Sequence, residues 1–268
     1  MSQPLVRSRA DAVPHRPVPP AWLPVALAAA TVLSQIVYPL VDGDPRDVLT
    51  VVTVLLFAAA SVTAAWRRLG PAAALVLVLV TVGVGFAAEA VGVATGLPFG
   101  DYRYTGSLGP RLLGVPLVIP LAWTMMAYPA LVGARSVARG RVGRIVVGAV
   151  ALASWDVFLD PQMTDAGHWV FAPTDGPTLT GIPLTNFAGW LLVALILLTG
   201  LVLALPEPSA DGSDAVPLGL YLWTYGSSLL ANLAFFDRSD VALSGGLVMG
   251  VPVALLLVRL ARRPRLRR

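Results

Sequence analysis

The chain of 268 residues contains no cysteine and no lysine, and only two histidines. The lack of cysteine excludes disulfides, thiolate nucleophiles, iron–sulfur clusters and cysteine-based zinc sites. The lack of lysine excludes Schiff-base chemistry of the retinal type. His15 lies in a proline-rich N-terminal stretch, which leaves His168 as the one histidine for chemistry and excludes a metal cage of several histidines.

Charge is also scarce. Only 13% of the residues are charged and 56% are apolar, with a mean hydropathy of +0.76. A soluble domain usually has about 25% charged residues, so this composition indicates an integral membrane protein. The isoelectric point near 10.0 does not indicate a nucleic-acid partner, because the arginines follow the ends of the apolar stretches instead of forming one basic face.

Eight stretches are long and apolar enough to cross a membrane as helices of about 20 residues. They run at 22–40, 48–66, 71–95, 113–134, 143–161, 182–205, 215–236 and 241–260. The sequence therefore predicts an all-α polytopic membrane helix bundle as a single domain at 21–260. A disordered cytoplasmic tail at 1–20 precedes it and a basic cytoplasmic tail at 261–268 follows it.

The arginines predict the orientation of this bundle. Fifteen of them lie in the two tails and in alternate connections, and four lie in the other connections. By the positive-inside rule both termini are cytoplasmic, which requires an even number of spans. The connection at 206–214 is the exception, because it has three acids and no arginine. We expect a multi-pass protein of the bacterial inner membrane, surrounded by membrane lipids.

Several polar residues lie inside the predicted spans, where an ionised carboxylate is costly unless it is paired or hydrated. Glu89 is six residues from the end of the third span, about 9 Å deep. Asp156 and Asp160 are four residues apart near the end of the fifth span and point to the same side of a helix. Asn186 lies just inside the sixth span and Asn232 lies near the end of the seventh. In the predicted orientation all of them lie in the outer half of the bilayer.

The two long outer connections, 96–114 and 162–181, reach the same level. Together with the polar residues of the spans they predict one pocket that opens near the outer face and is flanked by lipid. The aromatic and histidine candidates for this pocket are Tyr102, Tyr104, Trp123, Trp155, His168, Trp169 and Trp190.

Most of these residues also have a structural interpretation. Asp160 precedes Pro161 and can simply end a helix, while the tyrosines and Trp169 fit an interfacial aromatic belt. Asn186 and Asn232 fit interhelical hydrogen bonds, and His168 fits a surface or hydrogen-bonded histidine. Glu89 and Asp156 fit a structural role least well, because no basic residue lies near either of them in its span.

A pocket of carboxyls and aromatics suits acid chemistry on an apolar substrate. A buried carboxyl can stay protonated at neutral pH and act as a general acid, and indole faces stabilise a cation. Protonation of an isopropylidene double bond gives a tertiary cation that water can capture. We hypothesise that Asp156 or Glu89 is the acid and that Asp160 and Asn186 position the water, with no cofactor and no metal.

Four strings carry a resemblance to a known family. They are LPFGDYRYTGSLGPRLLGVPLVIPLAWTMMAYPA (97–130), SWDVFLDPQM (154–163), GHWVF (167–171) and GIPLTNFAGW (181–190). They resemble the membrane carotenoid hydratases, which include gamma-carotene 1′,2′-hydratase and bisanhydrobacterioruberin hydratase, and the similarity extends from about Glu89 to the eighth span. The resemblance implies addition of water to the terminal double bond of an acyclic carotenoid end, with a lipid-soluble carotenoid as substrate and other carotenoid biosynthesis enzymes as partners.

Four alternatives remain open at this point. Asp156 and Asp160 form a DxxxD pair that could hold Mg²⁺ in an isoprenoid transferase, and a carotenoid end-group cyclase would use the same acid-generated cation. A transporter or proton pathway would also place acids in a membrane cavity, although no polar chain continues through the inner half of the spans. A scaffold role would require the acids only for stability.

Overall fold

The computed structural model describes residues 18–208 and 212–262. The predicted tails lie outside these residues, apart from 18–20 and 261–262. Within the described part, nine α-helices follow one another, with a short 3₁₀ helix (Tyr38–Leu40) after the first. They are α1 (Trp22–Val37), α2 (Asp44–Leu69), α3 (Pro71–Thr95), α4 (Ile119–Val137), α5 (Gly140–Ala153), α6 (Asp156–Asp165), α7 (Leu184–Ala204), α8 (Ala215–Ala234) and α9 (Ser239–Ala261).

Six segments are long and apolar enough to cross a membrane, namely Trp22–Leu40, Asp44–Leu69, Pro71–Thr95, Gly140–Asp165, Leu184–Ala204 and Ser239–Ala261. Helices α4 and α8 have 19 and 20 residues, a length of about 30 Å at 1.5 Å per residue. Most of α4 is buried, because it packs against α2, α3, α5, α7, α8 and α9 at the centre of the bundle. The predicted all-α polytopic membrane bundle is confirmed.

The fifth predicted span is not one regular helix. Helix α5 ends at Ala153 and α6 begins at Asp156, although Ser154 and Trp155 keep right-handed helical backbone angles. At this point the hydrogen-bond pattern changes to that of a 3₁₀ helix. The Trp155 amide donates to the Leu152 carbonyl, three residues back, at 3.3 Å. Helix α6 then continues through Pro161 to Asp165, so Asp160 does not end the helix.

Short strands join the long connections at one end of the bundle. Strand β1 (Tyr102–Tyr104) pairs antiparallel with β4 (Trp169–Phe171), so that Tyr104 lies opposite Trp169. Two small hairpins flank them, β2 (Arg111–Leu112) with β3 (Val115–Pro116) and β5 (Thr178–Leu179) with β6 (Ile182–Pro183). Hydropathy predicted that the fourth span begins at residue 113. The first hairpin occupies this part of the chain, so α4 begins only at Ile119.

The acidic connection at 206–214 pairs with arginines of neighbouring segments. Asp214 lies 3.0 Å from the Arg68 guanidinium, and Glu207 forms an ion pair with Arg144. Arg135 donates to the Pro206 carbonyl at 3.0 Å. The acids of this connection therefore meet arginines at the same end of the bundle, which fits the predicted cytoplasmic side.

Hydroxyl groups join the helices within the bundle. Thr81 of α3 and Thr124 of α4 are 2.6 Å apart, and Ser34 of α1 and Thr53 of α2 are 2.8 Å apart. Hydrogen bonds of this kind connect helices where the surroundings are apolar. They join α1 to α2 and α3 to α4.

Candidate active site

Glu89 forms one polar centre near the end of α3. Its side chain is buried and accepts three hydrogen bonds. The hydroxyls of Tyr102 and Tyr104 donate to Oε2 at 2.5 and 2.8 Å, and the Trp123 indole donates to Oε1 at 3.3 Å. Both carboxyl oxygens are therefore held by donors from a strand and a neighbouring helix.

The two tyrosines reach Glu89 because of the geometry of β1. Residues two apart in a strand point to the same face, so Tyr102 and Tyr104 approach the carboxyl together. Burial, and then the negative charge of Glu89, raise the pKa of both phenols above the usual value. The two hydroxyls therefore stay protonated, and remain hydrogen-bond donors, throughout the physiological range of pH.

Two glycines allow close packing around this centre. A Cβ atom at Gly85 would lie 2.6 Å from Cδ1 of Trp123, so α3 can pack against the indole only without a side chain there. A Cβ atom at Gly189 of α7 would lie 2.7 Å from the Pro98 carbonyl oxygen. Contacts this short do not occur for real side chains, so both positions require glycine for the observed packing.

Asp156, Asp160 and Asn186 form a second polar centre. The two carboxyls lie one turn apart on α6, and Asn186 lies in the first turn of α7. Its amide nitrogen donates to Oδ2 of Asp156 at 2.8 Å and also to Oδ2 of Asp160. All three side chains are buried, and the carboxyls are within hydrogen-bonding reach of one another. Oδ1 of Asp156 is buried with no hydrogen-bond partner among the described residues.

The two centres share one cavity of about 150 Å³. Indoles form much of its wall. Trp123 and Trp190 stack with ring centroids 4.1 Å apart, and Trp155 meets Trp190 edge to face at 6.0 Å. Trp169 also lines the cavity, near the Asp160 side chain. The cavity therefore combines carboxyl groups with an aromatic surface.

The structure brings most of the predicted site residues to this cavity. Those that line it are Glu89, Tyr102, Tyr104, Trp123, Trp155, Asp160, Trp169, Asn186 and Trp190. Asp156 lies behind Asp160 and reaches the cavity only through that carboxyl and Asn186. Asn232 is buried, but its amide donates to the Ser228 carbonyl of its own helix at 2.9 Å. It is not part of the cavity wall.

His168 is fully buried beside the cavity and connects three segments. Its Nδ1 lies 2.7 Å from the Ser107 hydroxyl and its Nε2 lies 3.3 Å from the Thr50 hydroxyl. Burial lowers the pKa of the imidazole, although the nearby Asp47 opposes this shift. A neutral ring that bonds at both nitrogens holds the connections that contain Ser107 and His168 against α2.

Sequence reasoning missed one wall of the cavity. Its polar part comes from α1, the 3₁₀ helix and α2, through Gln35, Tyr38, Thr50 and Thr53. A further stripe comes from α8, where small residues recur at helical spacing, at Thr224, Ser227, Ser228 and Ala231. Their i, i+3, i+4, i+7 spacing is the signal that could have identified α8 as a lining helix.

The described residues, 18–208 and 212–262, contain no group of three or more acidic or histidine side chains suited to a metal ion. At the Asp156–Asp160 pair the position between the carboxyls is taken by the Asn186 amide nitrogen. An N–H donor cannot ligate Mg²⁺, which prefers oxygen. In this orientation the Asn186 amide presents no oxygen to the DxxxD pair considered for an isoprenoid transferase.

Comparison with known protein families matches residues 49–258 to the family described as carotenoid biosynthesis protein. The match covers well over half of the chain. The chain belongs to the carotenoid biosynthesis protein family. It is also 35% identical over 111 residues to the bisanhydrobacterioruberin hydratase of Haloarcula japonica. These residues are 39% of this chain and 36% of that relative. No solved structure matches the chain.

Membership of the carotenoid biosynthesis protein family confirms the resemblance predicted from the four strings. The matched region begins at residue 49 and so includes α2, whereas the strings indicated similarity only from about Glu89. It contains both polar centres and all four indoles of the cavity. Helix α1 and Tyr38 precede residue 49. The part of the cavity wall that they form therefore lies outside the matched region.

Proposed function

We propose that this carotenoid biosynthesis protein catalyses the acid-initiated addition of water to the terminal C=C bond of an acyclic carotenoid end, giving a tertiary alcohol without a cofactor. The observation that carries this proposal is the meeting of two carboxyl centres in one indole-lined cavity. The family and the name of the relative, a hydratase, support the same reaction. The substrate reaches the protein from the lipid, where other carotenoid biosynthesis enzymes leave it.

The size of the cavity suits one end of the substrate. An apolar cavity of about 150 Å³ can hold a molecule as large as benzene, and the cavity here has about that volume. A dimethyl-substituted terminal double bond therefore fits inside, while the long polyene remains outside between helices and lipid. The proposed site lies in the outer half of the cell membrane.

The Asp156–Asp160 pair is the proposed acid. Two buried carboxyls in contact cannot both be ionised, so we expect them to share one proton. Oδ1 of Asp156 has no donor among the described residues, which disfavours a negative charge on this residue. Asp160 is the member that lines the cavity, so it delivers the shared proton to the CH carbon of the double bond.

The cation then forms on the neighbouring dimethyl-substituted carbon. Trp123, Trp155 and Trp190 line the space where it develops, with Trp123 and Trp190 stacked on one another. Indole faces attract cations, and the attraction is stronger where water is excluded. In the proposed mechanism Glu89 carries the balancing negative charge, and the three donors on its oxygens offset part of the cost of burying that charge.

Water completes the reaction. Its oxygen forms a bond to the tertiary carbon, and one of its O–H bonds breaks as the proton passes to Glu89. Return of this proton to Asp160, which lines the same cavity as Glu89, restores the starting state. The net change is the addition of one water molecule. This division of roles differs from the sequence-based hypothesis, in which Asp160 only positions the water.

The test is expression in bacterial cells that make lycopene, followed by mass spectrometry of the pigments. We expect a product heavier by one water molecule, and its loss in Asp160→Asn and in Glu89→Gln. Asp237→Asn is the matched control, because this carboxyl is exposed and lies outside the cavity wall. A product of unchanged mass would indicate a cyclase, and loss of activity in EDTA would indicate a metal enzyme. Normal hydration by a well-expressed Asp160→Asn variant would overturn the proposed acid.

A further inference from the structure

The wall of the cavity is closed along three helices and partly exposed along a fourth. Every residue that α3, α4 and α7 contribute to the wall is buried, including Glu89, Trp123 and Asn186. On α8, by contrast, most of the lining residues are partly exposed, namely Ser227, Ser228 and Ala231. The cavity therefore has its opening beside α8.

Two side-chain contacts connect the end of α1 to α8 and the residues after it. The Trp223 indole donates to the Gln35 side-chain oxygen at 2.8 Å, and Tyr38 meets Phe236 edge to face with centroids 6.3 Å apart. Gln35 and Tyr38 are only about 5 Å apart along α1, whereas Trp223 lies about 16 Å before the end of α8. Because these spacings differ, α8 diverges from α1 between the two contacts, where its partly exposed lining residues lie.

The backbone packing shows the same gap. The 3₁₀ helix (Tyr38–Leu40) packs against α1 and α2, but it has no comparable packing against α8 within residues 18–208 and 212–262. Gln35 and Pro39 line the cavity from this side, and both are partly exposed. The gap is therefore continuous with the cavity. We call it the lateral opening, and its edges are Gln35, Pro39, Ser227 and Ala231.

The other side of α8 is held closed by several contacts. Phe158 of α6 meets Tyr225 of α8 edge to face at 6.4 Å, and α9 packs against both helices. Asp165 at the end of α6 forms an ion pair with Arg238 in the connection after α8. The seam between α6 and α8 is thus connected at both ends, although two lining residues of α6 are partly exposed, Leu159 and Gln162.

The surface around the lateral opening is suited to lipid. The stretches 22–41 and 215–236 contain no charged residue. Their large exposed side chains near the opening are apolar, namely Ile36, Val37, Leu40, Leu230 and Leu233. An uncharged apolar surface of this kind faces the hydrocarbon layer of a membrane. A molecule that passes through the lateral opening therefore comes from the bilayer and not from water.

We propose that the carotenoid end enters the cavity through the lateral opening and that the polyene lies in this opening while the end reacts. This inference rests on the proposed hydratase function and identifies the binding site for the rest of the substrate. The cavity of about 150 Å³ has room for the end group alone, so the polyene leaves it where the wall is open. The small side chains of Ser227 and Ala231 provide the space for this apolar chain.

A bulky side chain at Ser227 tests the proposal. Ser227→Phe places a ring in the space of the polyene, and overfilling an occupied space is costly. We expect the initial rate of hydration at limiting lycopene, and the amount of lycopene that copurifies with the protein, to fall about tenfold or more. Ser227→Ala should keep both values, because the Ser227 hydroxyl donates only to the Thr224 carbonyl of its own helix.

Gly226→Phe is the matched control. Gly226 is exposed, lies outside the cavity wall, and a Cβ atom there meets nothing within 4 Å. The same ring one residue away should leave the rate, the copurified lycopene and the melting temperature unchanged. Equal losses in Gly226→Phe and Ser227→Phe, or wild-type values in Ser227→Phe, would overturn the lateral opening as the substrate site.

A density map of the wild-type protein purified with lycopene gives a readout that depends neither on turnover nor on a variant that folds. We expect an elongated density that runs from the cavity to the lipid between α1 and α8. Alcohol formation with the polyene between other helices would overturn the lateral opening and leave the hydratase intact. A polyene in the lateral opening without any alcohol formed would instead overturn the hydratase function.

Discussion

Asn186 donates from one amide nitrogen to both Asp156 and Asp160. This contact joins the first turn of α7 to α6. The two helices are separated in the sequence by the connection that contains β4, β5 and β6. The amide satisfies one oxygen of each carboxyl and holds the two acids at a fixed separation. The acid of the proposed reaction is therefore built from two helices and is not a property of α6 alone.

Asn186→Ala should disable the site and weaken the fold. Hydrogen bonds to charged groups contribute about 1.5 to 3 kcal/mol each, so losing the amide should cost about 3 kcal/mol of unfolding free energy. Hydration of lycopene should fall to background, because Asp160 is no longer held. Thermal unfolding in detergent and pigment analysis measure the two effects.

The control for this prediction is Asn232→Ala. Asn232 is equally buried, but its amide bonds to the Ser228 carbonyl within α8. We expect a loss of about 1 kcal/mol with hydration retained. Equal loss of hydration in both variants would contradict the specific role of Asn186.

Gly85→Ala should move Trp123 away from its position. The added Cβ would lie 2.6 Å from Cδ1 and 2.9 Å from Cγ of that indole, so the ring must shift and its hydrogen bond to Glu89 must lengthen. A displacement of about 1 Å at a reaction site can cost about 100-fold in rate. We expect the initial rate of alcohol formation to fall by about tenfold or more.

Gly83→Ala provides a matched comparison on the same helix. A Cβ atom there meets nothing within 4 Å, and alanine is about 1 kcal/mol more favourable than glycine inside a helix. This variant should be fully active and at least as stable as the wild type. Full activity of Gly85→Ala would show that the Trp123 position is not critical.

The sequence predicted the helices well, because long apolar runs have few other solutions in a membrane. It also predicted that Glu89, Asp160 and Asn186 lie at one level, since depth follows from distance along a span. Rotation about the helix axis was not predictable for helices that are apolar on all sides, so the contact of Asn232 with its own helix could not be foreseen.

The remaining features depend on contacts between distant segments. The pairing of β1 with β4 joins two connections about 65 residues apart, and three-residue strands carry almost no local signal. Tyr38 gave no sign of its place in the cavity wall, because that place depends on the packing of α1 and α2 against distant segments. The same holds for the Asn186 amide between the two carboxyls.

His168 should make the stability of the protein depend on pH. Burial lowers the pKa of its imidazole in the folded state, whereas the unfolded value is about 6.5. Between the two values the unfolded chain binds more protons, so stability falls as pH drops below about 6.5. His168→Gln should flatten this part of the curve of melting temperature against pH. An identical slope in wild type and variant between about pH 7 and 5 would exclude His168 as the cause.

The lack of cysteine allows the orientation of the bundle to be tested without background labelling. Asp175 lies exposed in the connection before β5, and Ser213 lies exposed in the acidic connection between α7 and α8. If the arginine distribution sets the orientation, an impermeant maleimide should label Asp175→Cys in intact cells. Ser213→Cys should react only after the membrane is permeabilised. The opposite result would reverse the bundle and place the cavity in the inner half of the bilayer, with the hydration chemistry unchanged but its water drawn from the cytoplasm.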